Sequence, residues 1–444
     1  MAMLTEQEAK KIIDKVLSFS KADETSVTIN GGRRGNIRFA RNTVSTSGET
    51  DDLSLVITAA FGKRSGSANI NELSDEAIKN GVKQAEETAR LAPENPEYMP
   101  VLEPQSYKRS NTYNENTANL TPLQRANIAL KSITPCKEKG LTGAGYLEDN
   151  AGFLAIGNSK GLFGYNKSTS MEFSVSVRTT DGKGSGYAFR SSIDAKLIDA
   201  KAATSVAMQK AIGSQNAIEL PPGKYTVILE PAAVYMMGES NFMNSFLAAF
   251  DARNAEEGRS FFGKKGGGTK LGEQLFDSKL TIYSDPFDPK SPGLPFAQDG
   301  RPQEKVVWVE KGKVKNFYYS RFWAQKKGVK AIPPSISNFI IEEGEQTLEE
   351  MIKNADKTIL VTRTYYMRPV DPQNILVTGL TRDGVFYIEN GRIKHAVKNF
   401  RFNESPVNMF QNLEAIGKAE KIGNSMVPPL KIRNFNFSSL SDAV

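Results

Sequence analysis

Gly62-Lys63-Arg64-Ser65-Gly66-Ser67-Ala68 returns about 120 residues later as Gly182-Lys183-Gly184-Ser185-Gly186-Tyr187-Ala188, identical at five of seven positions. Each copy follows a stretch of alternating apolar residues and is itself followed by a helical pattern, so this turn decides how the first half folds. Ahead of the first copy, Ser26–Ile29, Asn36–Ala40 and Leu53–Ile57 alternate in period two, with turn chemistry at Gly31-Gly32 and Gly48, and predict three antiparallel strands. Glu6–Phe19 puts Ala9, Ile12, Ile13, Val16 and Leu17 on one helical face, and Glu72–Leu91 predicts a second helix. The second unit reads in the same order. A helix over Pro122–Thr134 precedes strands around Ala144–Glu148, Phe153–Gly157, Leu162–Tyr165 and Met171–Thr179, and a helix over Ala195–Ile212 ends it. We read an internal duplication, about residues 1–92 and 120–212, within one N-terminal α+β domain spanning 1–220.

Pro221-Pro222-Gly223 breaks the preceding helix and opens a second domain, 221–444, in which short β-rich runs dominate. These runs are Lys279–Tyr283, Glu304–Val309, Lys313–Tyr319, Thr358–Tyr365, Ile375–Thr378, Gly384–Glu389 and Gly391–Phe400, with a hairpin turn at Asn390-Gly391. They predict a mostly antiparallel, curled or barrel-like sheet with a few packed helices. The fold class is α+β. One helix is expected from Pro231 onward, because Val234, Met237, Phe242, Phe246, Leu247 and Phe250 recur at helical spacing.

Of 444 residues, 39% are hydrophobic and 24% charged, the balance of a globular chain with ample core. One cysteine excludes an intrachain disulfide and fits a reducing compartment. No apolar run reaches the roughly 20 residues of a membrane helix, and the start shows no basic-then-apolar signal, so cytoplasm is expected and membrane is not. The net charge of +7 raises nucleic acid as a partner, but lysines and arginines are spread along the chain rather than gathered into one face, which disfavours direct binding.

Pro222-Gly223-Lys224-Tyr225 leading into Val227–Pro231, Glu257-Gly258-Arg259-Ser260-Phe261-Phe262, Gly293-Leu294-Pro295-Phe296, Asp299-Gly300, Thr347–Ile352, Ile388–Ile393 and Val397–Pro406 follow one another in an order that resembles the TldD/PmbA family. The resemblance covers most of the second half and implies a metallopeptidase-related chain. TldD-type members hold zinc through a His-Glu-x-x-x-His helix and a distal Cys; PmbA-type members, also called TldE, lack that set, and this chain resembles the second kind. Gly238 and Met243 stand at the two histidine positions and only Glu239 matches. Composition agrees, since one histidine, His395, and one cysteine, Cys136, cannot supply three His/Cys zinc ligands. The resemblance therefore implies no cofactor on this chain, zinc on a TldD-type paralogous partner, unfolded peptide as substrate, and pairing, with a homodimer as the other arrangement. Two alternatives stay open: a non-proteolytic regulator, as the family label "modulator of DNA gyrase" suggests, and a peptidase whose metal is held by carboxylates.

Each candidate site has a plain structural reading beside it. Glu239, on a mostly apolar helix, is the one catalytic candidate, a general base if a metal or partner completes the site; otherwise it is a solvated helix residue. Arg259 lies in the resembling Glu257–Phe262 piece. The interleaved cations and aromatics of Lys313–Gly328 have the pattern of a nucleic-acid surface, but the segment resembles a family element beside the central groove, which implies that Arg321 is groove wall in contact with peptide, with aromatics as core. Asn399, Arg401 and Asn403 alternate with Phe400 and Phe402, which puts the polar three on one strand face; they are substrate-binding candidates, or a structural network in which Glu404 pairs with Arg401. Gly263–Lys270 is glycine-rich but departs from a phosphate loop in ending Gly268-Thr269-Lys270, and reads as a loop or lid. His395 reads as a strand histidine rather than a triad base.

Overall fold

The computed structural model describes residues 3–235, 241–333 and 338–441. Strands β1 (Glu24–Ala40), β2 (Thr43–Phe61), β3 (Arg64–Ile70), β4 (Thr142–Asn158), β5 (Phe163–Arg178) and β6 (Ser185–Ser192) form one antiparallel sheet in the order β3-β2-β1-β4-β5-β6. Helices Glu6–Phe19 and Asp75–Leu91 serve the first half, and helices Pro122–Glu138 and Ala200–Gly213 the second. Thr5 with Glu8, and Thr121 with Gln124, close capping boxes that hold the first helix of each half.

The expected strands are fewer and longer. Gly31-Gly32 and Gly48 do not turn; they lie inside β1 and β2, and the chain reverses at Arg41-Asn42, both with positive φ (51° and 58°). The glycines answer to close approach instead: a Cβ on Gly31 would stand 2.8 Å from the Asp52 carbonyl oxygen, and one on Gly32 2.2 Å from that of Ala151. In the second half, four expected strands merge into β4 and β5, β6 follows the Gly182 turn, and the last helix begins at Ala200 behind an Asp199 cap. The repeated turns lie 120 residues apart, as do Gly32 and Gly152, and these two glycines face each other in the β1–β4 ladder. A two-fold axis relating the halves would pass between them, which supports the duplication we propose.

In the second region β7 (Gly223–Leu229), β8 (Thr358–Asp371), β9 (Leu376–Glu389), β10 (Phe400–Glu404) and β11 (Leu430–Leu440) close a five-stranded ring, β7-β11-β10-β9-β8, sealed by a parallel β7–β8 pairing. The barrel-like expectation holds, although Ile375–Thr378 and Gly384–Glu389 prove to be one strand. The Asn390-Gly391 turn is present, with φ of 51° and 73°. Alternation sorts the barrel residues: Val227, Leu229, Ile359, Val361, Phe400, Phe402 and Phe435 join the main core with Phe242 and Phe246. Ile228, Leu360, Phe386 and Ile388 face a smaller core under helix Leu348–Lys353. A six-stranded mixed sheet of very short strands, including Ile282–Ser284, Glu420–Ile422 and Ser425–Val427, lies beside the barrel.

The single helix expected from Pro231 is interrupted. Helix Pro231–Val234 stops at Tyr235, which is extended, and Asn241 is again extended where it caps helix Phe242–Ala248, its Oδ1 accepting from the Asn244 N–H at 2.9 Å. Phe242, Phe246 and Phe250 are fully buried, so the apolar spacing reported the core correctly although the chain leaves helical geometry at Tyr235 and Asn241.

Candidate functional site

The three glycines at the sheet centre, Gly31, Gly32 and Gly152, carry no side chains above the backbone, and a cavity of about 410 Å³ opens there against the C-terminal region. Its walls are Arg33 and Arg34 of β1, Ser168–Glu172 of β5, Ser191 of β6, and, from the other side, Gly293-Leu294, Lys421 and Asn424. Gly293-Leu294 belongs to one of the pieces that carry the family resemblance.

The arginines are committed to carboxylates. Arg34 pairs with Glu148, and Arg33 donates to Asp149 (2.6 Å) and Glu49 (3.1 Å). Beneath them Arg125 and Asp149 form a fully buried pair. Glu172 and Lys421, also in the wall, have no ion-pair partner among the described residues. Burial raises the Glu172 carboxyl above its ordinary range, helped by Glu148 directly across the β4–β5 ladder. Burial pushes the Lys421 ammonium down to about 8, with Asp288 opposing. The two are linked through β6: Ser191 pairs with Glu172 in the sheet, donates to the Lys421 carbonyl (3.1 Å) and accepts from the Gly423 N–H (2.8 Å). Tyr235, edge-on to Phe339 and hydrogen-bonded to Ser425, feels the charge of Glu172, and burial raises its hydroxyl above the ordinary range. An acid and an amine whose pKa values burial displaces in one cleft mark it as the candidate site.

The sequence-predicted residues are not gathered here. Glu239 and Gly238 lie outside the described residues. Met243 is fully buried in the core. Arg259 pairs with Glu257 and lines a separate cavity of about 580 Å³ beside Asp371 and Leu376. Arg321, its pKa lowered by burial, lines another of about 240 Å³ with Glu24, Tyr98 and Asp299. Asn399 accepts from Thr381 Oγ1 (3.1 Å) and lines a third, of about 400 Å³, where the β5–β6 turn meets the barrel. Arg401 and Asn403 are exposed on β10, opposite buried Phe400 and Phe402 as the alternation required. The Arg401–Glu404 pair is absent: Glu404 is buried and accepts from the Ser405 N–H, the Asn408 amide and the Asn436 N–H instead. The Gly263–Lys270 loop closes on itself, the Lys270 N–H donating to Phe262 O at 2.8 Å.

Glu172 and Lys421 had no signal in the sequence. Glu172 stands on the polar face of an alternating strand, which reads as solvated, and Lys421 is a lone cation beside Ile422.

The donors do not fit a His/Cys zinc site. His395 stacks on Tyr387 (5.3 Å) on the strand Arg392–Val397. Cys136 is buried in helix Pro122–Glu138, its thiol raised by burial to about 11. Among the described residues no three His, Cys, Asp or Glu side chains come together as a metal group.

Comparison with known proteins agrees with this architecture. The chain matches a solved structure described as a modulator of a DNA gyrase from Thermotoga maritima, at 17% identity and TM-score 0.85, over 97% of this chain and 100% of that one. It matches TldE from Thermococcus kodakarensis at 20% identity and TM-score 0.83, over 97% and 99%. Curated relatives match in part only. An uncharacterized protein of Methanocaldococcus jannaschii is 25% identical over 46% of this chain and 49% of its own length. A metalloprotease of Archaeoglobus fulgidus is 31% identical over 26% and 24%. No helix among the described residues is long and apolar enough to cross a membrane. Sequence profiles for the PmbA/TldA metallopeptidase C-terminal domain, domain 1 and central domain match residues 222–439, 26–89 and 116–215, and with the fold above these place the chain in the PmbA/TldD metallopeptidase family.

Proposed function

We propose that this chain is the subunit of a PmbA/TldD-type peptidase that carries no zinc of its own, pairing with a TldD-type paralogue and walling the chamber that admits unfolded peptide. The observation that carries the reading is the donor set: one histidine and one cysteine, on a barrel-region strand and an N-terminal helix, in a chain of metallopeptidase fold. The fold likeness to a protein named TldE supports it. In the complex the bond-breaking groups then lie on the partner, and the 410 Å³ cleft of this chain positions substrate. A single cysteine suits a cytoplasmic setting.

The test is elemental metal content of the purified chain together with cleavage of an unfolded peptide, with and without a TldD-type partner. No bound metal, and cleavage only when the partner is added, is the expected result. Stoichiometric metal with activity in the isolated chain overturns the reading in favour of a carboxylate-held metal. The gyrase-modulator descriptions of structural neighbours define the other reading. A salt-sensitive DNA shift, with no effect on peptide cleavage, would favour it.

A further inference from the structure

We infer that Lys421 is a carboxylate receptor in the cleft, taking the C-terminal carboxylate or an acidic side chain of the bound peptide. This rests on the peptide-chamber reading above. Lys421 is the middle residue of strand Glu420–Ile422, whose main chain Ser191 pins from β6. Alternation turns Glu420 and Ile422 away from the side that Lys421 occupies: Glu420 reaches Arg190 (3.6 Å), and Ile422 is buried in the main core. The Lys421 side chain therefore leaves the strand from a fixed point into the cleft.

An ammonium has three donors, and Lys421 Nζ uses one, to the Lys290 carbonyl at 3.2 Å. Among the described residues no carboxylate lies within ion-pair distance of it. Asp288, the acid whose charge reaches it, has its Oδ1 occupied by the N–H groups of Lys290 and Ser291, both at 2.9 Å. The other cations of the cleft, Arg33 and Arg34, are already matched to Asp149, Glu49 and Glu148. Lys421 is thus the cleft cation without an anion among the described residues, half-buried in the wall, and an arriving anion offsets part of what burial costs its charge.

The surroundings select the kind of anion. Glu172 and Asp52 line the same cleft, so a dianionic phosphate meets two acids and one free cation, whereas a single carboxylate is matched by Lys421 alone. The remaining wall, from Ser168, Ser170 and the glycine backbone, suits main-chain polar groups rather than a second charge.

The test is binding of a fluorescent, unfolded peptide of glycine, serine and leucine to the full chain, alone and with its TldD-type partner. Three forms are compared: free C-terminal acid, C-terminal amide, and amide with one internal glutamate. Amidation should weaken binding about tenfold or more, the scale of a charge-assisted hydrogen bond. Recovery by the internal glutamate assigns the receptor to acidic side chains, and no recovery assigns it to the terminus. Lys421→Met should bind acid and amide alike, and Lys421→Arg should restore part of the preference, which a merely structural role would not do. Equal binding of all three forms by the unaltered chain overturns the role of Lys421 and leaves the chamber reading standing. Failure of every form to bind, to the chain or to the pair, overturns both.

Discussion

The two halves of the N-terminal sheet share helices, strand order and a turn, yet they meet different surroundings. In the first half β3 covers only Leu55–Phe61 of β2 and part of its far side stays bare: Thr43–Asp52 are exposed throughout. In the second half the matching stretch of β5 is strapped by the segment around Thr112, with the Thr169 N–H donating to Thr112 O (2.8 Å) and Thr112 Oγ1 to Lys167 O (2.6 Å). The second half also makes the joints to the C-terminal region. Ser185 Oγ donates to Asp383, which in turn holds Arg363 of the barrel, and Ser191 holds Lys421. On the duplication we propose, the same frame leaves the outer end of β2 bare in one half and carries joints to the barrel in the other, while both halves wall the cleft.

The largest break in this comparison should come where the halves are joined. Arg125 and Asp149 of the second half are both fully buried and reach Arg33 and Glu49 of the first. Asp149→Ala removes the buried carboxylate against Arg125 and leaves that fully buried guanidinium only its ion pair to the part-exposed Glu49; it should cost about 3 kcal/mol, read from the denaturant midpoint at unchanged slope. Next, the repeated turn offers a matched pair of serines. Ser185 is buried and bonded to Asp383, so Ser185→Ala should cost about 1–3 kcal/mol.

Lys421→Met should act in the opposite direction, stabilising the chain at neutral pH by something on the order of 1 kcal/mol once solvent screening is allowed for. The sign follows from the lowered pKa. Between about 8 and the ordinary 10.5 the unfolded chain keeps a proton that the folded chain has lost, so stability should rise with pH through that window. Below it the full penalty of a buried charge is present. Thermal scans across pH should show this rise in the unaltered chain and lose it in Lys421→Met; identical profiles would deny that Lys421 is desolvated. The smallest effect belongs to Ser65, the exposed counterpart of Ser185, where alanine should change stability by less than about 0.5 kcal/mol. Equal costs at Ser65 and Ser185 would erase the contrast between the halves.

What could be read in advance was whatever local chemistry settles alone. The first helix spans Glu6–Phe19 as its apolar stripe required, and the Asn390-Gly391 turn forms as its residue types demand. The barrel followed from β-rich runs with few helical interruptions. Gly31-Gly32 misled because glycine serves two purposes, and here close approach of Asp52 and Ala151 outweighs turning. Arg41-Asn42 carried too little glycine character to announce a reversal. The helix from Pro231 failed because apolar spacing reports which side chains reach the core, and the short helices Pro231–Val234 and Phe242–Ala248, with Tyr235 and Asn241 extended at their ends, reach it equally well. Arg259, Arg321 and Asn399 were chosen one motif at a time, and the fold sends them to three cavities. Glu172 and Lys421 escaped notice because each is ordinary on its own strand; only the meeting of β5, β6 and strand Glu420–Ile422 makes them neighbours of one space.

The closure of the five-stranded ring has a consequence for the order in which the molecule is made. β7 lies between β8 and β11, and β11, which ends at Leu440, is the piece that joins β7 to β10. On a ribosome, β7 must wait unpaired for partners that emerge far later, whereas the N-terminal sheet is complete once β6 has left the tunnel. For that interval the wall bearing Glu172 and Ser191 faces the cell without its lid, so nascent chains should depend on chaperones most while the barrel is still being synthesised.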